Sequence, residues 1–225
     1  DQGGALRIAT THTQARYVLP GPVAALRQAY PKVGVSLHQG SPDQVARMLI
    51  EEVAEIGMAT ESLVNYPELV TLPAYEWQHV LVFPFDHPLL ARERIGLEEL
   101  AQVPLITYHP SFTGRTRIDQ AFALRHLQPN IVLEAIDSDV IKTYVKLGLG
   151  VGIVAEMAVK GENQTPDLVS RPAGNLFGHN LARVAFKRGT YLRHFVLRFA
   201  ELLSDRLSRD SILRAMAGDP DEYDI

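Results

Sequence analysis

Three short segments gather hydroxyl-bearing side chains where a strand-like run gives way to a helix-like one: Thr10-Thr11-His12-Thr13-Gln14, Thr60-Glu61-Ser62 and Ser111-Phe112-Thr113-Gly114-Arg115. At such a turn the first amides of the helix have no internal partner and carry the positive end of its dipole. Hydroxyls beside those amides make a pocket for a small anion or carboxylate. Arg115 is the only nearby cation. The chemistry is therefore that of neutral donors replacing, one by one, the water shell of a small, doubly charged, strongly hydrated anion. Thr and Ser at helix starts are also ordinary N-caps. Thr11 and Thr13 go further, because two hydroxyls flank one His in a turn that needs only one cap.

Other chemistries fail on context. Gly148-Leu149-Gly150-Val151-Gly152 has the look of a dinucleotide fingerprint, but a helix-like run precedes it, a strand-like run follows, and Ile153 stands where the pattern is already broken. Its glycines are expected to end a helix tightly and let the next strand pack close. The eight His residues show no His-x-x-x-His spacing and no carboxylate cluster, so no metal site is expected. There is no Gly-x-Ser-x-Gly elbow and no Cys, and Thr11 and His12, being adjacent, would point apart. No catalytic residue is assigned, and the chain is not expected to be an enzyme.

The elements that must position these turns follow from periodicity. Leu6 to Ala9 reads as a strand; Val23 to Tyr30 reads as a helix stopped by Pro31; Val33 to His38 alternates as a strand. Ser41 is a candidate N-cap with Pro42 at the first helical position and Val45, Met48, Leu49 and Val53 as the buried stripe. Ile56 to Ala59 is a short strand, completing a βαβ pattern. Leu69 to Leu72 and Val80 to Phe83 read as two strands with a crossover into a second domain near Ala74 to Gln78, and Asp86-His87-Pro88-Leu89 as a closing turn.

There the pattern repeats: a short helix at Leu97 to Leu100, strands at Leu105 to Tyr108 and Ile131 to Glu134, a helix at Arg117 to Arg125, Asp137-Ser138-Asp139 capping a helix from Val140 to Leu147, and a strand from Leu149 to Ala155. Lys160 to Pro166 reads as a surface loop. Leu181 to Phe186 reads as a strand returning to the first domain. Leu192, Phe195, Val196, Phe199, Leu202, Leu203 and Leu207 then share a helical face, Asp210 caps a last helix, and Gly218 to Ile225 is an acidic, frayed end.

The expected fold class is α/β: two Rossmann-like subdomains joined by two crossover segments, with a ligand cleft between them. The first subdomain takes residues 1–76, the second 77–178, and 179–225 return to complete the first. Trp77, the only Trp, falls in the crossover and either packs in the hinge or lines the cleft as an apolar wall.

Composition bounds the partners. A net charge of −4 and a pI of about 6.1 give no basic footprint for nucleic acid. No apolar run is long enough for a membrane span, no signal pattern opens the chain, and the absence of Cys fits a reducing compartment, so a cytoplasmic location is expected. Asp1 is not an initiator Met, which points to missing upstream sequence.

With these residues placed, the chain resembles the effector-binding domain of LysR-type transcriptional regulators. General marks are Leu19-Pro20 with Leu26, Tyr30 and Pro31, then Asp86-His87-Pro88-Leu89, and Val145 to Gly152. Ile8 to Tyr17, Ala59-Thr60-Glu61, Phe112 to Arg115 and Asp139 to Val145 resemble its CysB-like, sulfur-assimilation branch, closely over residues 6–159 and more weakly beyond.

The resemblance implies a periplasmic-binding-protein-like (type 2) fold and promoter DNA bound through an N-terminal winged helix-turn-helix absent from this chain. It implies a homodimer or homotetramer and no cofactor. The effector it implies is sulfate, thiosulfate, N-acetylserine or O-acetylserine. By motif, the ligand contacts are Thr11, Thr13 and Gln14 with Thr10, then Thr60 and Thr113, with Trp77 beside them. Ala74 and His109-Pro110-Ser111 depart from the pattern and bear on inducer preference. The alternative is a periplasmic solute-binding protein for a small oxyanion or amino-acid derivative.

Overall fold

The structure is a computed structural model that describes residues 3–112 and 114–218. The chain begins with β1 (Gly4–Thr10), α1 (His12–Tyr17), α2 (Pro20–Ala29), β2 (Val33–Gln39), α3 (Pro42–Ile50) and β3 (Ile56–Ala59). Pro20 at the first position starts α2, and its last N–H bond comes from Tyr30, after which Pro31 cannot continue. A capping box starts α3: Gln44 N donates to Ser41 Oγ at 3.3 Å, and Ser41 N donates to Gln44 Oε1 at 2.9 Å. Val45, Ala46 and Leu49 form its buried stripe, whereas Met48 is only half-buried and Val53 lies exposed beyond the helix end.

The expected break between two strands at residues 74–78 does not occur. A single 16-residue strand, β4 (Leu69–Pro84), runs straight through it. Its buried positions pass from Leu72 and Ala74 to Trp77 and His79, so the buried face changes parity at Tyr75-Glu76 while the strand itself continues.

Next come α4 (Leu97–Leu100), β5 (Pro104–Tyr108), α5 (Arg115–Leu124), β6 (Asn130–Ala135), α6 (Ser138–Lys146), β7 (Val151–Ala155), β8 (Leu168–Pro172) and α7 (Gly174–Phe177). The Gly-rich run behaves as its context predicts. Gly148 takes φ +78 just after α6, a Cβ on Gly150 would stand 2.8 Å from Pro104 O, and one on Gly152 would stand 2.9 Å from Val145 Cγ2. A short 3₁₀ turn, Gly161–Asn163, lies inside the expected 160–166 loop.

The last elements are β9 (His179–Lys187), α8 (His194–Leu203) and α9 (Arg209–Met216). Leu192 and Leu207 are buried but lie outside α8. Ser208, not Asp210, caps α9: Ser211 N donates to Ser208 Oγ at 3.0 Å, and Asp210 sits in the first turn. Of the end expected to fray, residues 219–225 lie outside the described residues.

These elements form two compact units, Asp1–Glu76 with Leu181–Ile225, and Trp77–Asn180. In the first, β1 lies between β2 and β3 and is parallel to both, so Ala9 stands opposite His38 and Gly57; β9 pairs antiparallel on the far side of β3. Residue parity divides its core. Leu6, Ile8, Ile56, Met58, Val184 and Phe186 pack with Leu26 of α2 and Phe195 and Phe199 of α8. Ala9, Ala59 and Ala185 pack on the other face with Val45 and Leu49 of α3. Small residues on that face let α3 approach closely: a Cβ on Gly57 would meet Leu49 Cδ1 at 2.5 Å.

In the second unit β4 pairs antiparallel with β7 and β8, and β5 pairs parallel with β6 and β7. Leu81, Phe83, Leu105, Val151 and Ile153 pack with Ile118 and Phe122 of α5 and with Phe177. Among the described residues no helix is long and apolar enough to cross a membrane.

Candidate functional site

The parallel register of β1 and β3 sets the first part of the site. Thr10 stands opposite Met58, so the chain leaves both strands at the same carboxyl edge, through Thr11 on one and Thr60 on the other. Thr10, Thr11, Thr13 and Gln14 are all buried, and Thr60 is half-buried.

Thr11 occupies the N-cap position of α1 in extended backbone, but its side chain makes no capping bond. Thr13 is 1% exposed, and its Oγ1 has no hydrogen-bond partner among the described residues. Thr10 Oγ1 donates to Thr11 O at 3.2 Å. The cap role that Thr residues commonly play at a helix start is thus not taken up by Thr11, and a buried donor beside it is unspent.

Tyr75 donates its hydroxyl to Gln14 Oε1. That bond fixes which way the carboxamide faces, with its N–H₂ on the opposite side from Tyr75. Thr60 caps no amide either; its hydroxyl lies 3.4 Å from Ser62 Oγ.

Basic charge at this edge comes from a residue the sequence reading passed over. Arg183 on β9 stands opposite Ala59, and its Nη1 donates to Thr71 Oγ1 at 3.5 Å. The signal was the return strand, but only its antiparallel register places Arg183 next to the Thr60 turn.

Arg115, the cation the sequence singled out, is engaged elsewhere. Its Nε donates to Asp119 Oδ1 at 2.8 Å, and its Nη1 donates to Tyr108 O at 2.7 Å and to Glu134 Oε2. Burial pulls the guanidinium pKa down, and the two carboxylates more than reverse this, leaving it above its ordinary value. Arg115 therefore braces α5 against β5 and β6 and is not a free charge for a ligand.

Of the residues expected in the second unit, Thr113 lies outside the described residues. Its neighbour Gly114 takes φ +70 and opens α5. Trp77 is buried at 2% exposure, with its ring edge-on to His79 at a centroid distance of 4.9 Å, and its Nε1 has no partner among the described residues. Asn180, which the sequence reading did not single out, is buried near Gly114 and His79. No group of three His, Asp or Glu that could hold a metal occurs among the described residues.

The arrangement can hold an anion at the Thr11 to Gln14 turn by hydroxyls, backbone amides and one oriented carboxamide.

The family described as "LysR substrate binding domain" matches residues 1–208. The HTH-type transcriptional regulator CysB of Burkholderia cenocepacia is 53% identical over 225 residues, spanning 100% of this chain and 71% of the relative. The HTH-type transcriptional regulator cbl of Escherichia coli K12 is 46% identical over 222 residues, 99% of this chain and 70% of the relative. Among solved structures, the cofactor-binding domain of the Cbl transcriptional regulator superposes with a TM-score of 0.91 at 47% identity, spanning 96% of this chain and 94% of that one.

Proposed function

The chain belongs to the LysR substrate-binding domain family, and from that premise we propose that it senses a small sulfur-pathway effector for a CysB-like regulator of sulfur-assimilation and cysteine-biosynthesis genes. The effectors proposed are sulfate, thiosulfate, N-acetylserine and O-acetylserine. The anion or carboxylate sits at the Thr11–Thr13 turn, with Thr10, Gln14 and Thr60 beside it. Promoter DNA is bound by a separate domain. A periplasmic solute-binding protein would share this fold, but the relatives that match along the whole chain are named as transcriptional regulators.

The observation that carries this reading is the buried Thr13 hydroxyl without a partner, next to a Thr11 hydroxyl that caps nothing. A buried donor left unpaired costs about 1–3 kcal/mol, which a ligand acceptor recovers on binding.

Calorimetric titration of the chain with sulfate, thiosulfate, N-acetylserine and O-acetylserine, against phosphate and chloride, tests it. Binding of any of the four in preference to the controls is expected. Thr11→Ala and Thr13→Ala should each weaken it by about 1–3 kcal/mol. Unchanged affinity in both variants, or no binding at all by a folded chain, removes the assignment.

A further inference from the structure

In the first unit, α8, α9 and the segment leading into α8 line a cavity of about 380 Å³ that shares no residue with the Thr11 to Gln14 turn. Its size falls within the range of about 300–1,000 Å³ common for small-molecule sites. Leu192 and Leu197, at 7% and 2% exposure, form an apolar floor. Arg209, Leu213 and Met216 follow one another at helical spacing along α9, while Ile212 of the same helix is fully buried in the core. Helix α9 is thus anchored by one face and offers another to the cavity.

Arg209 is the one permanent charge in the lining, and among the described residues its guanidinium makes no hydrogen bond or ion pair. Other arginines of this unit are engaged: Arg7 by Glu55, Arg27 by Pro31 O and Val33 O, and Arg188 by Pro67 O and Leu69 O. Arg209 also holds the first position of α9, where the helix dipole disfavours a cation and favours an anion. Asp210, which answers that dipole, does not line the cavity. An anion paired with Arg209 gains from the guanidinium and from the dipole together.

We propose that this cavity is a second ligand site, for a small monocarboxylate with a compact, branched apolar body. The head group follows from Arg209, because a guanidinium presents a planar pair of N–H donors that matches the two oxygens of a carboxylate. The body follows from the floor. Sulfate or phosphate needs donors on every side to replace its water, and Leu192, Leu197, Leu213 and Met216 supply none. The leucines and the adaptable thioether of Met216 instead conform to a branched alkyl group. Tyr191 and Leu213, 89% and 40% exposed, are the lining groups that such a body covers.

The site stands apart from the effector reading above, since none of its residues belongs to the Thr turns. The test follows the Met216 methyl by NMR in the whole chain made with methyl-labelled methionine. The probes are isocaproate, its neutral isostere isocaproamide, and acetate, which has the head without the body. Met58, fully buried in the core, is the internal reference for folding. Isocaproate is expected to shift the Met216 signal saturably and to bind about tenfold or more tightly than either control. Arg209→Gln should bring the isocaproate and isocaproamide affinities together. Leu213→Asp sets a second carboxylate against the ligand and should abolish the isocaproate shift. Both positions are exposed, and an unmoved Met58 signal verifies that each variant folds.

The absence of a saturable Met216 shift, an equal response to isocaproate and isocaproamide, or a preference that survives Arg209→Gln overturns the site. Sulfate that moves Met216 or displaces isocaproate also overturns it, because the two sites are then one. A Met216 signal that responds to protein concentration and not to isocaproate makes a second copy of the chain the occupant and overturns the small-ligand site.

Discussion

A hydroxyl buried without a partner sets stability against binding at a single residue. Thr13 is such a case. Thr13→Val keeps the shape of the side chain and removes the donor, so melting experiments should show a gain of about 1 kcal/mol while titration shows sulfate affinity falling about tenfold or more. The Thr turns themselves were legible because hydroxyl spacing at a strand end is local information.

The residues that complete or leave the site are not local. Tyr75 reaches Gln14 across 61 positions, and Arg115 is taken by Glu134 across 19. Arg183 arrives at the Thr60 turn only through the register of an antiparallel strand. Asn180 has no sequence mark at all, since what distinguishes it is the absence of a partner in the folded state.

Elements whose ends carry their own chemistry were readable, and they make predictions of their own. Ser41→Ala removes one half of the α3 capping box and should cost about 1 kcal/mol in denaturant unfolding. His87 accepts a bond from Leu89 N at its Nδ1, at 3.1 Å, and burial holds its pKa below the ordinary 6.5. Because the folded-state value is the lower one, the unfolded chain takes up the proton first as pH falls. The contribution is complete above about pH 6.5 and is lost as pH drops through the lowered value. His87→Asn, which keeps an acceptor without titrating, should therefore lose less stability than the wild-type chain between neutral and mildly acid pH.

The elements misread are those without end signals. β4 continues through Ala74 to Gln78 because nothing there forces a turn, and the aromatic residues that suggested a change of texture, Tyr75, Trp77 and His79, fall at every second position of one strand. β8 and α7 are too short, at 5 and 4 residues, to show a period. α8 ends at Leu203 although the apolar spacing runs on to Leu207, which is buried from beyond the helix.

At the scale of the molecule, charge and core each make a claim. With a net charge of −4, the chain should leave duplex DNA unretarded in a gel at about 0.1 M salt, since phosphate contacts need a cationic surface. Phe122 is fully buried among Ile118, Phe177 and the strands of the second unit. Phe122→Ala should cost about 3–5 kcal/mol and lower hydrogen-exchange protection in β5, β6 and β7.

Sequence order adds a last consequence. The second unit is one uninterrupted stretch, but the first needs Val184, Phe186, Phe195 and Phe199, all of which follow residue 180. A ribosome making this chain therefore releases the inserted unit complete while the opening strands still lack their aromatic floor. Until β9 emerges, β3 has an open edge, and in a crowded polysome that edge is where two nascent copies would pair with each other.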